Sequence, residues 1–262
     1  MYFEQQYLNI AKNILQFWNE KQCRNWMTKS VFWVQLVIWC LNYWLFPLIT
    51  SRQMFYKWVF WEMAAFFRWP KNIEDFKKFG CNYWSMWAKP NWDLNLDYGN
   101  KWINFNWVNQ MQRVLNLLKT DPNNRRLLIT GWDPSSEDLS LPCCHYSYQF
   151  YVTEWWRLDM IWNQRSADLM VWVPSDIVFA AAWLIVVAQM SWFLPWTINM
   201  MLGDTHIYQE HWELAREQVE REIHMPPQYT VKDNTNIFEF LPSDITIEWY
   251  EFEEKINYLL KA

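Results

Sequence analysis

The chain has 262 residues, with 23 basic and 28 acidic side chains and a formal net charge of −5. This length is enough for one large domain with its own core, and without a basic block a nucleic-acid partner is not expected. Five cysteines at irregular spacing, with no CxxC pair, favour reduced thiols in a cytoplasmic protein over a disulfide framework or a zinc site.

The first half of the chain predicts helices that alternate with strands and aromatic segments. Apolar residues at helical spacing predict the helices, and β-branched and aromatic runs predict the strands. The predicted elements are a helix at 6–17, a strand at 31–41, an almost entirely apolar helix at about 54–67, a short helix at 72–78, an irregular segment at 84–102, an amphipathic helix at 108–120 and a strand that Arg125-Arg126 opens and that runs through 132.

The second half predicts a hairpin, one buried helix and one charged, exposed helix. The longest apolar run, 177–188, is too short to span a bilayer, so we expect a buried helix and no membrane association. The polar N-terminus, 1–13, lacks the core of a signal peptide. The predicted elements are a strand after Cys144, its hairpin partner at 157–163, a polar cluster at 164–168, a helix from Pro174 to about 190, a short strand at 198–202, a helix at 210–222, and strands at 229–232 and 245–249. With no repeat and no linker, the chain predicts a single α+β domain spanning 1–262.

Two side chains stand out chemically. Cys144 lies beside His145 at the mouth of a predicted strand, where a thiolate is a plausible nucleophile; the alternative is a small buried hydrophobe. Glu62 lies inside an apolar helix, where a carboxylate is costly unless it is paired or used. A buried ion pair is the alternative for Glu62.

The order of the motifs resembles that of thymidylate synthases and the related pyrimidine nucleotide hydroxymethylases over nearly the whole chain. The resemblance implies an α+β fold with a large, mixed, twisted sheet flanked by helices, which dimerises through the face of the sheet. The matching motifs are Phe46-Pro47-Leu48, Glu62, Trp84 and Trp87, Asp97-Tyr98-Gly99, Asp121-Pro122, Arg125-Arg126, Pro142-Cys143-Cys144-His145, Gln149-Phe150-Tyr151-Val152, Gln164-Arg165-Ser166, Asp168 and Gly203-Asp204-Thr205-His206-Ile207-Tyr208.

The resemblance also implies a reaction and its catalytic residues. In this family a thiolate adds to C6 of a pyrimidine, and C5 then attacks the one-carbon unit of 5,10-methylenetetrahydrofolate. Cys144 would be that thiolate, with Cys143 as its structural neighbour, and Glu62 the general acid and base that acts through ordered water. His145 and Asp168 complete the implied catalytic set, Trp84 and Asp168 would contact the folate, and no metal is expected.

Binding residues follow from the resemblance in the same way. Phosphate recognition favours Arg, whose planar guanidinium is always charged, and the paired arginines of this family reach across from a second subunit. We therefore expect a homodimer; the alternative for Arg125-Arg126 is a solvated turn. A capped helix start is the alternative for His206 and Tyr208, and a metal at His206 and His211 would lack a third ligand. The implied phosphate ligands are Arg24, Arg125, Arg126, Arg165 and Ser166, and the implied base and sugar contacts are Asp176, His206, Tyr208, Tyr98 and Gln164.

Asp176 departs from the thymidylate synthase pattern, which has Asn at this place. A carboxamide matches the hydrogen-bonding edge of uracil, whereas a protonated carboxyl can accept from the amino group of cytosine and donate to its N3. The deoxycytidylate hydroxymethylases carry Asp here, and a mismatched edge leaves buried polar groups unpaired. Asp176 therefore favours dCMP over dUMP; the alternative is that it caps the following helix.

The sequence leaves open whether the product carries a methyl or a hydroxymethyl group. Methylation needs a hydride from the folate, and hydroxymethylation needs water at the same place. The tail, 251–262, does not match the closing segment of thymidylate synthases, which weakens the expectation of hydride transfer. The alternatives to a dCMP enzyme are an ordinary thymidylate synthase and an inactive nucleotide-binding relative.

The balance of tryptophan and glycine is unusual. There are 23 Trp and only 4 Gly, where glycine usually makes up about 7% of residues. Glycine supplies positive φ in turns, and Trp cannot do so without strain. We hypothesise that a UGA codon reassigned to glycine has been read as Trp. The affected positions would be Trp26, Trp33, Trp69, Trp92, Trp172, Trp192, Trp196 and Trp249, with the Trp155-Trp156 pair in a hairpin turn.

Overall fold

The architecture is that of a mixed sheet covered by helices, in a computed structural model that describes residues 3–17, 20–23 and 26–260. The strands are β1 (Glu20–Cys23), β2 (Trp26–Ile38), β3 (Leu128–Thr130), β4 (His145–Thr153), β5 (Arg157–Asp168), β6 (Leu194–Tyr208), β7 (Gln228–Val231) and β8 (Ile245–Glu248). The α-helices are α1 (Phe3–Phe17), α2 (Lys57–Phe66), α3 (Ile73–Lys77), α4 (Asn100–Ile103), α5 (Gln110–Thr120), α6 (Trp172–Ser191) and α7 (Trp212–Gln218).

The main sheet has six strands in the order β1-β2-β6-β5-β4-β3. Only the β5–β6 pair is parallel, and α6 makes the crossover between these two strands. The carboxyl ends of β5 and β6 therefore meet at one edge, where Ser166 pairs with Asp204 and Asp168 with His206. This register brings two polar segments that are far apart in sequence side by side. The large mixed sheet flanked by helices is the fold class predicted from the sequence.

Helix α6 is the centre of the core. It packs on one face of the sheet against β5 and β6, and its Phe179 and Trp183 lie among the buried rings of Trp102 and Trp162. Its 20 residues would be long and apolar enough to cross a membrane, but 89% of its most apolar window is buried inside the fold. The predicted buried helix is confirmed, although it is longer than the apolar run suggested.

The opposite face of the main sheet is more open. Along β4 and β5 the side chains alternate, so that Phe150 and Trp162 are buried while Tyr151 is 65% exposed and Ile161 is 38% exposed. Large apolar side chains on the outer face of a sheet are a feature of surfaces that bind another protein.

Several predicted boundaries are wrong, each for a physical reason. β6 is not limited to 198–202 but includes the whole polar motif up to Tyr208. α6 begins before Pro174, because proline is tolerated in the first turn of a helix. Arg125 and Arg126 lie in an exposed turn, and the strand begins only at Leu128. α2 begins at Lys57 rather than at 54.

The structure also differs from the predicted elements at β1 and at α7. The edge strand β1 was not predicted, because its four residues are polar. The predicted exposed helix at 210–222 is shorter, α7, and it buries Ala215 and Gln218.

Tryptophan occupies most of the left-handed backbone positions that lack glycine. Twelve non-glycine residues of the described chain have positive φ, and nine of them are Trp. All nine side chains are at least 40% exposed, so packing does not impose their conformation. Trp26, Trp172 and Trp196, which we expected among them, are absent from this set, whereas Trp44 and Trp107 were not expected. The nine are Trp33, Trp44, Trp69, Trp92, Trp107, Trp155, Trp156, Trp192 and Trp249.

Candidate active site

A cavity of about 450 Å³ opens where β5 and β6 end. Its wall includes most of the residues that the sequence singled out, contributed by α2, β4, β5, α6 and β6. The exposed turn of Arg125 and Arg126 is not part of this wall, and Arg24 lies outside the described residues. The residues brought together are Glu62, Trp84, Tyr98, Cys144, His145, Gln164, Arg165, Ser166, Asp168, Asp176, His206 and Tyr208.

The end of β6 presents a row of polar groups to the cavity. Asp204, His206 and Tyr208 alternate along the strand, so all three side chains lie on one face. Tyr208 also stands at the N-cap of the short 3₁₀ helix Gln209–His211, as the alternative interpretation expected, but its side chain makes no capping hydrogen bond and lines the cavity. Gly203 allows the close approach of the neighbouring strand, because a Cβ there would lie 2.7 Å from the carbonyl oxygen of Arg165.

Cys144 is held at the cavity by its main chain. Its N–H donates to the hydroxyl oxygen of Tyr98, and its carbonyl accepts from the main-chain N–H of Arg165 at 2.8 Å. The Arg165 guanidinium donates to the carbonyls of Cys143 and Pro142, at 2.8 and 3.2 Å, and so fixes the turn before the nucleophile segment.

The two adjacent thiols differ in their surroundings. Burial raises the pKa of Cys144, and the nearby Arg165 charge lowers it. Burial raises the pKa of Cys143 to about 12, and this side chain is fully enclosed and does not line the cavity. Of these two adjacent thiols, Cys144 is therefore the one that can react with a molecule in the cavity.

Glu62 faces the cavity from α2. Its Oε1 accepts hydrogen bonds from Trp84 Nε1, at 2.8 Å, and from the Tyr83 hydroxyl. Burial raises its pKa to about 7, against the lowering effect of these two donors. No basic side chain of the described residues pairs with Glu62, so the buried ion pair considered from the sequence is not what the structure has.

Asp176 belongs to a buried network with Gln164. Trp162 Nε1 donates to Gln164 Oε1 at 3.0 Å, and this fixes the orientation of the amide so that Nε2 donates to Asp176 Oδ2 at 2.9 Å. Burial raises the pKa of Asp176 well above its ordinary value. The helix N-cap is Val171, so Asp176 is not the cap that the sequence allowed as an alternative.

His145 lines the cavity and is buried. Its Nδ1 shares a hydrogen bond with the Tyr148 hydroxyl, and its Nε2 lies 3.9 Å from Asp176 Oδ1. Burial lowers its pKa to about 3, so the ring is neutral at physiological pH. The hydrogen-bond partner of the ring is therefore Tyr148, with Asp176 at longer range, and the catalytic role predicted for His145 stays a prediction.

Within the described residues, one carboxylate oxygen of Asp168 accepts hydrogen bonds from the protein and the other accepts none. Its Oδ1 accepts from the main-chain N–H groups of Met170 and Val171, at 3.1 and 3.3 Å. Its Oδ2 is buried and has no partner within the described residues. Because a buried acceptor is costly to leave unpaired, this oxygen suits a ligand that brings an N–H donor.

His206 lies close enough to Asp168 for their charges to interact. Burial disfavours its charged form, but the hydrogen bond to Asp204 and the charge of Asp168 raise its pKa overall. Asp204 was not among the predicted site residues, although its period-two spacing with His206 was a visible signal.

Aromatic rings form another wall of the cavity. Trp84, which was expected to contact a folate, is 3% exposed and packs against Phe66 and Phe76. Trp87 and Trp172 also line the cavity, with ring centroids 6.2 Å apart. Such flat, apolar surfaces suit the face of a heteroaromatic ring.

Comparison with known proteins agrees with this geometry. A family model described as thymidylate synthase matches residues 5–262. The chain is similar to a protein named thymidylate synthase from Mycoplasma genitalium. The two are 31% identical over 280 aligned positions, which cover 94% of this chain and 96% of that relative.

Proposed function

Because the chain belongs to the thymidylate synthase family, we propose that it transfers a one-carbon unit from 5,10-methylenetetrahydrofolate to C5 of dCMP. One-carbon transfer to a pyrimidine C5 is the chemistry of the family, and the choice of dCMP is specific to this chain. The observation that carries the proposal is the position of a reactive thiol, Cys144, in one cavity with Arg165, Glu62 and Asp176.

The chemistry begins with the Cys144 thiolate. It forms a bond to C6 of the pyrimidine and makes C5 nucleophilic enough to attack the one-carbon unit. Burial raises the pKa of this thiol, and the Arg165 guanidinium opposes that rise and so favours the thiolate. Glu62, with a pKa of about 7, can both accept and donate a proton near neutral pH, as a general acid and base must.

Asp176 supports cytosine as the base. Burial raises the pKa of the Asp176 carboxyl and so favours its protonated form, which has both a donor and an acceptor to offer. Gln164 Nε2 donates to Oδ2, which leaves the proton on Oδ1. A neutral carboxyl held in this way can serve the amino group and N3 of cytosine, whereas an ionised one could not donate to N3.

The folate fits the remaining part of the cavity. The unpaired Asp168 Oδ2 would accept from an N–H of the pterin, and the rings of Trp84 and Trp87 would cover its faces. The folate supplies the one-carbon unit. The protein orients the folate beside the pyrimidine and excludes water from the cavity.

The phosphate and the second subunit belong to the same proposal. Arg165 and Ser166 line the cavity from β5, while Arg125 and Arg126 are exposed and do not reach it. In a homodimer formed through the open face of the sheet, the paired arginines of one subunit would complete the phosphate site of the other.

The test compares the two nucleotides directly. Purified protein is incubated with 5,10-methylenetetrahydrofolate and either dCMP or dUMP, the product is identified by mass spectrometry, and dihydrofolate is followed by absorbance. Modified dCMP without dihydrofolate indicates hydroxymethylation, and with dihydrofolate it indicates methylation. Turnover of dUMP alone contradicts the dCMP proposal.

Two alternative functions predict different results, the first in this experiment and the second in a binding experiment with a 5-fluoro nucleotide. An ordinary thymidylate synthase, which the name of the Mycoplasma genitalium relative favours, converts dUMP and forms dihydrofolate. An inactive relative binds a 5-fluoro nucleotide without forming a covalent adduct at Cys144. The Cys144→Ser variant is the control, because it keeps the cavity and removes the thiol.

A further inference from the structure

The carboxylate of Glu62 is held asymmetrically. Both of its donors, the Tyr83 hydroxyl and Trp84 Nε1, bind the same oxygen, Oε1. Within the described residues no protein group donates a hydrogen bond to Oε2. An oxygen that already accepts two donors is a poor site for a further proton, so a protonated Glu62 carries its proton on Oε2.

We propose that Tyr83 positions Glu62: its hydroxyl occupies Oε1, so that Oε2 is left to exchange protons with whatever fills the cavity. Tyr83 is not a catalytic residue in this scheme, because it acts on the substrate only through Glu62. The inference rests on the proposed function only in giving Glu62 the role of general acid and base.

The ring of Tyr83 is packed so that its hydroxyl has a fixed direction. The ring contacts Trp58 edge to face, at 4.9 Å between centroids, and lies tilted against Trp84 at 6.1 Å. Burial raises the pKa of Tyr83 well above its ordinary value, so the hydroxyl remains a donor across the physiological range.

The surroundings of Glu62 make this donor important. The titratable groups that face the carboxyl are Tyr83, Cys81 and, from α6, Asp176. Burial raises the pKa of each of them, and none is a cation. The negative charge of Glu62 is therefore stabilised by two hydrogen bonds and not by an ion pair, and removing one of them must favour the protonated form.

The test measures the titration of Glu62 itself in the whole protein. Carbon-13 NMR of glutamate-labelled protein follows the carboxyl signals against pH, and the Glu62→Gln variant assigns the signal of Glu62. In Tyr83→Phe the aromatic packing is kept and the donor is lost, so we expect the pKa of Glu62 to rise by about one unit. Tyr56→Phe is the matched control, because Tyr56 is half-buried and contacts Phe60 and Tyr250 rather than Glu62.

Activity is measured on the same variants. In Tyr83→Phe the limb of the pH–rate profile that reports Glu62 should move with the measured pKa, and kcat should fall more than KM changes. An unchanged Glu62 titration in Tyr83→Phe overturns the positioning role, whatever happens to the rate. A shifted titration with an unchanged pH–rate profile leaves the positioning role intact and instead removes Glu62 from the proposed mechanism.

Discussion

At the scale of single residues, the buried carboxylates of the cavity link stability to pH. Folding raises the pKa of Glu62 from 4.5 to about 7. A carboxyl shifted in this direction favours the folded state fully below its unfolded pKa, and this contribution is lost as the pH rises through the folded pKa. The cavity is therefore least stable where Glu62 is ionised, which is the state that accepts a proton.

The Glu62→Gln variant should show how much the ionised form of Glu62 destabilises the folded protein. Glutamine keeps an oxygen that can accept from Tyr83 and Trp84 and has no charge to bury. Relative to the parent protein, we expect its free energy of unfolding to increase by about 3 kcal/mol between about pH 4.5 and about pH 7. Urea unfolding across this range measures the difference, and a constant difference contradicts the raised pKa.

Asp176 is the residue whose substitution should change the substrate. The Asp176→Asn variant replaces the carboxyl by a carboxamide, which matches the edge of uracil. We expect kcat/KM for dCMP to fall and that for dUMP to rise, with a change in their ratio of at least about a hundredfold, because a polar site rejects the wrong edge strongly. Steady-state kinetics with both nucleotides measures the ratio; an unchanged ratio shows that Asp176 does not read the base.

Arg165 should control the reactivity of Cys144. In Arg165→Gln the charge that lowers the pKa of this thiol is lost, so the thiolate fraction at neutral pH should fall. We expect slower alkylation of Cys144 by iodoacetamide, located by peptide mass spectrometry. The enclosed Cys143 serves as the internal reference, since it should be unreactive in both proteins.

Among the secondary-structure elements, α6 ends in a turn in which a tryptophan has a left-handed backbone conformation, and this conformation is strained. Trp192 follows the helix with φ 66° and ψ 32°, and its N–H donates to the carbonyls of Ala188 and Gln189. This is the left-handed position at which helices favour glycine. The Trp192 side chain is 82% exposed, so little packing opposes a smaller residue.

The Trp192→Gly variant should therefore be the more stable protein. Relief of the left-handed strain outweighs the greater entropy loss of glycine, and we expect a gain of about 1 kcal/mol in the free energy of unfolding. Trp39→Gly is the matched control, since Trp39 is 38% exposed and is not among the left-handed residues. Urea denaturation compares the two; a loss of stability in Trp192→Gly would contradict the strain.

Secondary structure followed the sequence where one physical signal dominated. The unbroken apolar run predicted α6, and an apolar and aromatic run predicted the strand that is β4. Prediction failed at the cavity end of β6. That end is polar, so the predicted strand stopped at 202, although the strand continues to Tyr208 and pairs with β5. β1 is short and polar because it lies at the edge of the sheet.

At the scale of the whole molecule, the site residues came from motif order rather than from periodicity. Cys144, Arg165 and His206 are far apart in sequence, and only the parallel pairing of β5 with β6 and the antiparallel pairing of β4 with β5 bring them together. The role of Tyr83 could not be predicted, because it depends on the direction of one hydroxyl inside a cluster of rings.

Subunit mixing tests whether the site is shared between two chains. Cys144→Ser and Arg126→Glu should each be nearly inactive alone, the first without a nucleophile and the second without a phosphate ligand. In a mixed dimer one site receives an intact cysteine and an intact arginine, so activity should return after the subunits exchange. Size-exclusion chromatography with light scattering confirms the dimer, and exchange without recovered activity contradicts a shared site.

The nine left-handed tryptophans have a consequence for the optical properties of the protein. All of them are in contact with water, whereas Trp102, Trp162 and Trp183 are enclosed in the core. If glycine stands at the nine positions in the cell, as a reassigned UGA codon would give, the natural protein loses most of its exposed indoles and keeps Trp39 and Trp132. Its fluorescence would then come mainly from enclosed rings, at shorter wavelength than that of the chain as written.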